Sequence, residues 1–220
     1  MNQESACLSQ QKTAFKIETI PFTEIPGQSK LFLDFQSDSP DVQKFYSEKQ
    51  TPVADYAAKV LAGYETDRGA LCDALREINQ KSGAGEKTLE NIELLRRNDC
   101  VAVVTGQQAG LFSGALYSVY KALSAVKLAE DLRRQNVAAV PVFWVAEEDH
   151  DFAEVKKTFV VAREGNLAEI ENTPRGFQEN SPVGAIRLDE TIDETVEELF
   201  QNSPHTEFTD KLKDILKKTY

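Results

Sequence analysis

Two runs of consecutive apolar residues lie in the middle of the chain, with a helical pattern between them. The first run is VAVV at residues 101–104, and the second is AVPVFWV at residues 139–145. Short continuous runs that are rich in β-branched residues are typical of strands buried in a parallel sheet. Residues 114–134 between them repeat apolar positions at helical spacing. The order of strand, helix and strand predicts a right-handed βαβ unit.

The flanking segments carry weaker patterns. Ser39-Pro40 supplies an N-cap and a first-turn proline, and predicts the start of a series of helices that continues to about residue 97, with a break at residues 83–85. Before it we expect an extended lead-in with a short strand at residues 31–35. After residue 157 we expect strands at residues 158–161 and 183–186 and two closing helices, the first opened by a capping box of Thr191 and Glu194. The predicted division is therefore residues 1–98, a lead-in with packing helices, and residues 99–220, an α/β core that is incomplete because it has only two convincing parallel strands.

Composition excludes several classes of protein. The 220 residues carry a net charge of -11 with a pI near 4.8, so the chain should repel nucleic acid and anionic lipid surfaces. Its three cysteines have no paired spacing, which predicts neither a disulfide framework nor a zinc knuckle. Neither an export signal nor a membrane-spanning run is present in the sequence. We expect a cytoplasmic protein.

The residues that follow the first predicted strand form a glycine-containing segment, TGQQAGLFSG at residues 105–114. Glycines let a ligand approach the backbone, and the free amides of the following helix favour an anion. Ser113, Tyr117 and Lys121 recur every four residues, which would place them on one helix face. The segment matches neither a P-loop nor a dinucleotide-binding fingerprint. The alternative is that the glycines only permit a tight turn and close packing.

An acidic segment, WVAEEDHD at residues 144–151, follows the second predicted strand. Ligands of open parallel sheets bind outside the carboxyl ends of the strands, so both segments should border one crevice. Crowded carboxylates raise one another's pKa and favour a charged imidazole at His150, which suits proton transfer near neutral pH. No metal site is predicted, because a second ligand cluster is missing. The alternative is an ordinary solvated acidic loop.

The two segments together carry a family resemblance. TGQQAGLFSGALYSVYKALSAVKLA followed by PVFWVAEEDHDFAEV is similar to the paired signature of the bacillithiol cysteine-adding enzymes, the BshC family. The resemblance implies a Rossmann-like core related to class I aminoacyl-tRNA synthetases and nucleotidylyltransferases, and a carboxyl-terminal coiled coil that makes homodimers. Members of the family are about twice as long as this chain, so a separately encoded second half is a possible partner. The sequence departs from the family pattern at Ala115, Ser118, Glu147 and Lys156-Lys157.

The implied reaction joins the carboxyl group of L-cysteine to the amine of glucosaminyl-malate and forms bacillithiol. ATP or ADP is a candidate cofactor. We expect His150, supported by Asp149, to accept the proton that the sugar ammonium must lose. We expect Glu148 and Asp151 to hold the amine or a sugar hydroxyl. The remaining expected site residues would bind the malyl carboxylates or a phosphate. They are Thr105, Gly106, Gln107, Gln108, Gly110, Ser113, Tyr117 and Lys121. Two other functions stay open: an unrelated nucleotide-binding transferase of similar fold, and a non-catalytic fragment that only binds a ligand.

Overall fold

The computed structural model describes residues 18–46 and 51–220. The chain divides into two compact units, residues 1–52 and 53–220. Every residue expected in the site belongs to the second unit.

The described part of the first unit is helical. A 3₁₀ turn spans Phe22–Glu24, and it is followed by helices α1, Lys30–Gln36, and α2, Pro40–Gln43. The strand predicted at residues 31–35 is wrong. Ser29 caps α1, because its hydroxyl accepts from the Phe32 amide at 3.2 Å, and the Phe32 ring packs edge-on against Phe22 at 4.8 Å. The proline-led start of α2 is confirmed.

The second unit contains most of the secondary structure. Its helices are α3 Val53–Gly63, α4 Arg68–Lys81, α5 Glu86–Leu95, α6 Leu116–Arg134, α7 Phe152–Val155, α8 Thr191–Asn202 and α9 Thr209–Thr219. Its strands are β1 Cys100–Gln108, β2 Ala138–Ala146, β3 Lys157–Val161 and β4 Leu167–Glu171. The predicted helical series, its break at residues 83–85 and the two closing helices are confirmed.

β1 and β2 form a parallel pair with α6 as the crossover, as the two apolar runs predict. The register runs from Cys100 opposite Ala138 to Gln108 opposite Ala146. β1 is therefore four residues longer at its carboxyl end than the apolar run, because main-chain pairing with β2 continues past the last valine. Four residues expected in a loop, Thr105, Gly106, Gln107 and Gln108, lie in the strand itself.

Helices cover both faces of this parallel pair, since successive strand residues point to opposite sides. One face packs on α4 and α5, and its buried residues are Cys72, Ile92, Leu95, Cys100 and Val140. The other face packs on α3 and α6, and its buried residues are Ala57, Val101, Ala129, Leu132 and Ala139. The structure is therefore α/β. A domain boundary at residue 98 and the relation to class I synthetases stay predictions.

β3 and β4 form a separate antiparallel hairpin, with Lys157 opposite Glu171. The sequence predicts β3 but not β4. The strand predicted at residues 183–186 is wrong: Val183–Ala185 is a 3₁₀ turn that follows Pro182. The predicted capping box is wrong as well, because Asp189 rather than Thr191 accepts an amide at the start of α8, at 3.0 Å from the Thr191 nitrogen. No helix in the described ranges is long and apolar enough to cross a membrane.

Candidate functional site

The backbone after β1 is strained. The φ angles are positive at three consecutive residues, with 51° at Phe112, 75° at Ser113 and 66° at Gly114. Only glycine adopts such φ angles without steric strain. Gly110 faces this turn, and a Cβ there would lie 2.8 Å from the Gly114 Cα. Two glycines thus allow the chain to fold back tightly. Ser113 belongs to the 3₁₀ turn Leu111–Ser113 before α6, so the prediction that it shares a helix face with Tyr117 and Lys121 is wrong.

Gly106 is required by the packing of the strands. A Cβ at this position would lie 2.5 Å from the Trp144 carbonyl oxygen of β2. This close approach accounts for a glycine without any ligand, as the packing alternative predicts. Thr105 lies half-buried in β1 opposite Phe143. Ligand binding by these two residues stays a prediction.

The acidic segment after β2 is held by main-chain hydrogen bonds from a distant turn. The Val183 amide donates to the Asp149 carbonyl and the Gly184 amide to the Glu147 carbonyl, both at 2.8 Å. At its other end, the Asp151 carboxylate accepts from the Glu154 amide at 3.0 Å and caps α7. The segment is therefore fixed on both sides. Sequence reasoning missed Val183 and Gly184, since backbone donors leave no signal in side-chain chemistry.

A side-chain hydrogen bond brings the two segments together. The Gln108 Nε2 donates to Asp149 Oδ2 at 2.7 Å and, more weakly, lies 3.3 Å from Glu154 Oε2. The Gln108 amide, followed by the Asp151 amide, holds the pKa of the Asp149 carboxyl below its usual value. Crowding therefore does not raise the pKa of this carboxyl, contrary to the expectation. The Asp149 carboxylate stays ionised, with hydrogen-bond donors around it.

Gln107 connects β1 to the first turns of α6. Its Oε1 accepts from Lys121 Nζ at 2.9 Å, and its Nε2 lies 3.4 Å from the Tyr117 hydroxyl and 3.1 Å from Gln108 Oε1. Among residues 18–46 and 51–220, Lys121 has no carboxylate partner. Lys121, which has no carboxylate partner in those ranges, therefore lies beside two amide side chains at the carboxyl end of β1.

A cavity of about 430 Å³ opens beside these amides. Its lining comes from the end of β1, the start of α6, α7 and β3: Gln107, Gln108, Gly110, Gly114, Ala115, Leu116, Tyr117, Ser118, Glu154, Val155, Lys157, Thr158 and Phe159. Four of the expected binding residues line it, namely Gln107, Gln108, Gly110 and Tyr117. The sequence did not point to the β3 residues, because only the fold brings that hairpin next to β1.

The other expected site residues do not belong to the wall of this cavity. Asp149 reaches it through Gln108, and Lys121 through Gln107. Glu148 and His150 are exposed, and the His150 imidazole makes no hydrogen bond to any residue that the structure describes. Asp151 is committed to capping α7. In the described ranges, no group of three or more histidine, cysteine or acidic residues could hold a metal ion.

Comparison with known proteins gives one family. The profile of the family described as "Bacillithiol biosynthesis BshC, N-terminal Rossmann-like domain" matches residues 15–220. A relative from Koribacter versatilis is 37% identical over 210 residues, covering 92% of this chain and 37% of the relative. One from Chlorobaculum tepidum is 37% identical over 202 residues, covering 88% and 36%. One from Salinibacter ruber is 34% identical over 193 residues, covering 86% and 35%.

All three relatives bear one name, which describes a candidate cysteine ligase, BshC. The chain spans little more than a third of their length, 35% to 37%.

Proposed function

Because the chain belongs to the BshC family through its N-terminal Rossmann-like domain, we propose that it takes part in joining L-cysteine to the amine of glucosaminyl-malate, which forms bacillithiol. The observation that supports this proposal most is the 2.7 Å hydrogen bond from Gln108 to Asp149. It joins a segment suited to anions and a segment suited to amines at one edge of the parallel sheet, as a ligand with both groups requires.

The anionic end of the substrate belongs to the first segment. Glucosaminyl-malate carries two malyl carboxylates, and Lys121 is a cation without a carboxylate partner among the described residues. The Gln107 amide next to it can donate to the same group, and the start of α6 adds backbone donors in the wall of the cavity. A phosphate would suit the same donors, which keeps ATP or ADP as a candidate cofactor at this position.

The amine end belongs to the acidic segment. Asp149 remains ionised because of its lowered pKa, and an ionised carboxylate attracts the sugar ammonium. The cysteine carboxyl must be activated, so that one of its oxygens leaves with the activating group when the new carbon–nitrogen bond forms. The ammonium must lose a proton before its nitrogen can attack that carboxyl carbon. In this proposal His150, the residue that follows Asp149, accepts that proton. Glu148, and Asp151 through the carboxylate oxygen that does not cap α7, would then hold the amine or a sugar hydroxyl.

The proposal also gives a role to the part of the family's relatives that this chain does not span. The carboxyl-terminal part, as a continuation of the chain or as a separately encoded partner, would extend the two-stranded parallel sheet and supply the contacts of a homodimer. We place the reaction in the cytoplasm. Cys72 and Cys100 are free and buried, so they are packing residues and not part of this chemistry.

A product assay tests the proposal. The chain, alone and with any separately encoded second half, is mixed with cysteine and glucosaminyl-malate, with and without ATP, and bacillithiol is measured by mass spectrometry. We expect bacillithiol. Its absence under every condition, together with tight nucleotide binding that ignores glucosaminyl-malate, would support the transferase alternative.

The two histidines provide a matched pair of variants. His150→Ala should lower the rate of product formation by roughly 10²- to 10⁴-fold, the usual contribution of a general base. His205→Ala, which changes an exposed loop residue, should leave the rate unchanged. If the two variants have equal rates, His150 is not the base, and the ligase proposal still stands on the product itself.

A further inference from the structure

The strained turn after β1 is held by a residue that is distant in the sequence. The Phe112 amide donates to the Tyr220 hydroxyl at 2.9 Å. The two rings also pack edge to face, with their centroids 5.5 Å apart and their planes at 86°. Tyr220 directly follows α9, and it lies 108 positions after Phe112. The turn is therefore tied to the end of a distant helix by two separate contacts.

This turn needs support from outside because its own backbone is unfavourable. Phe112 and Ser113 are not glycines, yet both have positive φ angles. Such conformations cost free energy at residues with a Cβ and persist only where surrounding contacts enforce them. Within the turn, the Gly114 amide donates to the Leu111 carbonyl at 2.9 Å. That hydrogen bond closes the turn locally, and the Tyr220 hydroxyl holds its middle.

The turn also determines how α6 begins. Ala115 is the N-cap of α6, and its side chain makes no hydrogen bond to the first amides of the helix. Those amides belong to Leu116 and Tyr117, and both residues line the larger cavity together with Gly114. Their direction depends on the turn, because only two residues separate it from the helix. A movement of the turn would therefore move the backbone donors that the cavity offers to an anion.

We propose that Tyr220 is a positioning residue for the ligand site, because its hydroxyl holds Phe112 and Ser113 in the strained turn that directs the first amides of α6 into the larger cavity. Tyr220 lines a second cavity, of about 200 Å³, and does not belong to the wall of the larger one. It therefore acts through the turn and not by contact with a ligand in the larger cavity. This inference rests on the proposed function, since it names the residue that keeps the anion-binding donors in place.

Tyr220→Phe tests the hydrogen bond, because it removes the hydroxyl and keeps the ring that packs on Phe112. Tyr64→Phe is the matched control, at a tyrosine that is 62% exposed just after α3. The ¹⁵N-labelled chains are titrated with glucosaminyl-malate and followed by NMR. We expect Tyr220→Phe to raise the Kd roughly three- to tenfold, as the loss of one hydrogen bond allows, and Tyr64→Phe to leave it unchanged. An unchanged Kd for Tyr220→Phe would overturn the proposal.

A glycine variant separates positioning from general damage to the fold. Glycine adopts positive φ as readily as negative φ, so in Ser113→Gly the turn should keep its form with less support from Tyr220. In that background Tyr220→Phe should raise the Kd less than twofold. An equal loss of affinity in both backgrounds would overturn the proposal. In the product assay, Tyr220→Phe should raise the KM for glucosaminyl-malate and leave kcat unchanged, and a fall in kcat with an unchanged KM would contradict a positioning role.

Failure of the positioning role and failure of the ligation give different results. In the ligand-free chain, Tyr220→Phe should shift the backbone amides of Leu116 and Tyr117 and speed hydrogen exchange at the Phe112 amide. If these changes occur but glucosaminyl-malate binds neither the wild type nor the variant, Tyr220 still positions the turn and the proposed reaction is wrong. If bacillithiol forms and the amides of α6 do not shift, the positioning role is wrong and the ligation stands.

Discussion

Replacing Gly106 with alanine should destabilise the pairing of β1 with β2. The added Cβ would lie 2.5 Å from the Trp144 carbonyl oxygen and 2.9 Å from the Trp144 Cβ, where ordinary contacts begin at 3.4 Å. Relief requires one strand to move by nearly 1 Å, because the nearest obstacle is backbone rather than a flexible side-chain end. Gly106 lies one residue before Gln107, so the same movement displaces the donors of the candidate site.

The magnitude follows from the cost of forcing one extra methyl group into a packed region, about 1–3 kcal/mol. For a chain of this size, 1 kcal/mol changes the Tm by about 2–4 °C, so Gly106→Ala should lower it by about 2–12 °C. Urea denaturation followed by circular dichroism gives the free energy of unfolding. Gly63→Ala is the matched control, because no atom lies within 4 Å of a Cβ at the end of α3. That change should be neutral or stabilise by about 0.4–1 kcal/mol.

One result would refute this reasoning. If Gly106→Ala unfolds at the same urea concentration as the wild type, Trp144 does not approach Gly106 as described, and the register of β1 on β2 is wrong. If Gly106→Ala is as stable as Gly63→Ala but binds glucosaminyl-malate poorly, Gly106 serves the ligand and not the packing.

Two further predictions concern the polar groups of the site. The Gln108 amide lowers the pKa of the Asp149 carboxyl, so the ionised carboxylate stabilises the fold at pH values above its pKa in the unfolded chain, about 3.9. This stabilisation is lost as the pH falls through the pKa in the folded chain. The denaturation midpoints of the wild type and of Asp149→Asn should therefore converge in acid, and a constant difference at every pH would contradict this. Lys121→Met should weaken the binding of glucosaminyl-malate roughly tenfold and reduce its salt dependence in calorimetric titrations, whereas Lys127→Met, whose Nζ already donates to Asp131 at 2.7 Å, should change neither.

The sequence predicts the parallel unit well because its signal is strong. The runs at residues 101–104 and 139–145 are continuous, apolar and rich in β-branched residues, and a long helical pattern separates them. The segment at residues 31–35 is different, because five residues that are mostly apolar suit a strand or a helix equally. The helix is stabilised by the Ser29 cap and by the contact of Phe32 with Phe22. The hydrophobic pattern predicts neither of these two interactions.

The sequence predicts only the part of the candidate site that follows from the order and direction of the strands. Parallel strands end at one edge, so the sequence brings Gln108 and Asp149 near each other although they are 41 residues apart. The approach of β3 to the end of β1 depends on how the hairpin packs. No periodicity or motif encodes that packing.

The central claim is that the ends of β1 and β2 form one site. Titration of the ¹⁵N-labelled chain with glucosaminyl-malate tests it most directly. We predict that the side-chain amides of Gln107 and Gln108 and the backbone amides of Asp149 and His150 shift together with one Kd. Shifts confined to one of the two segments, or two clearly different Kd values, would contradict the claim.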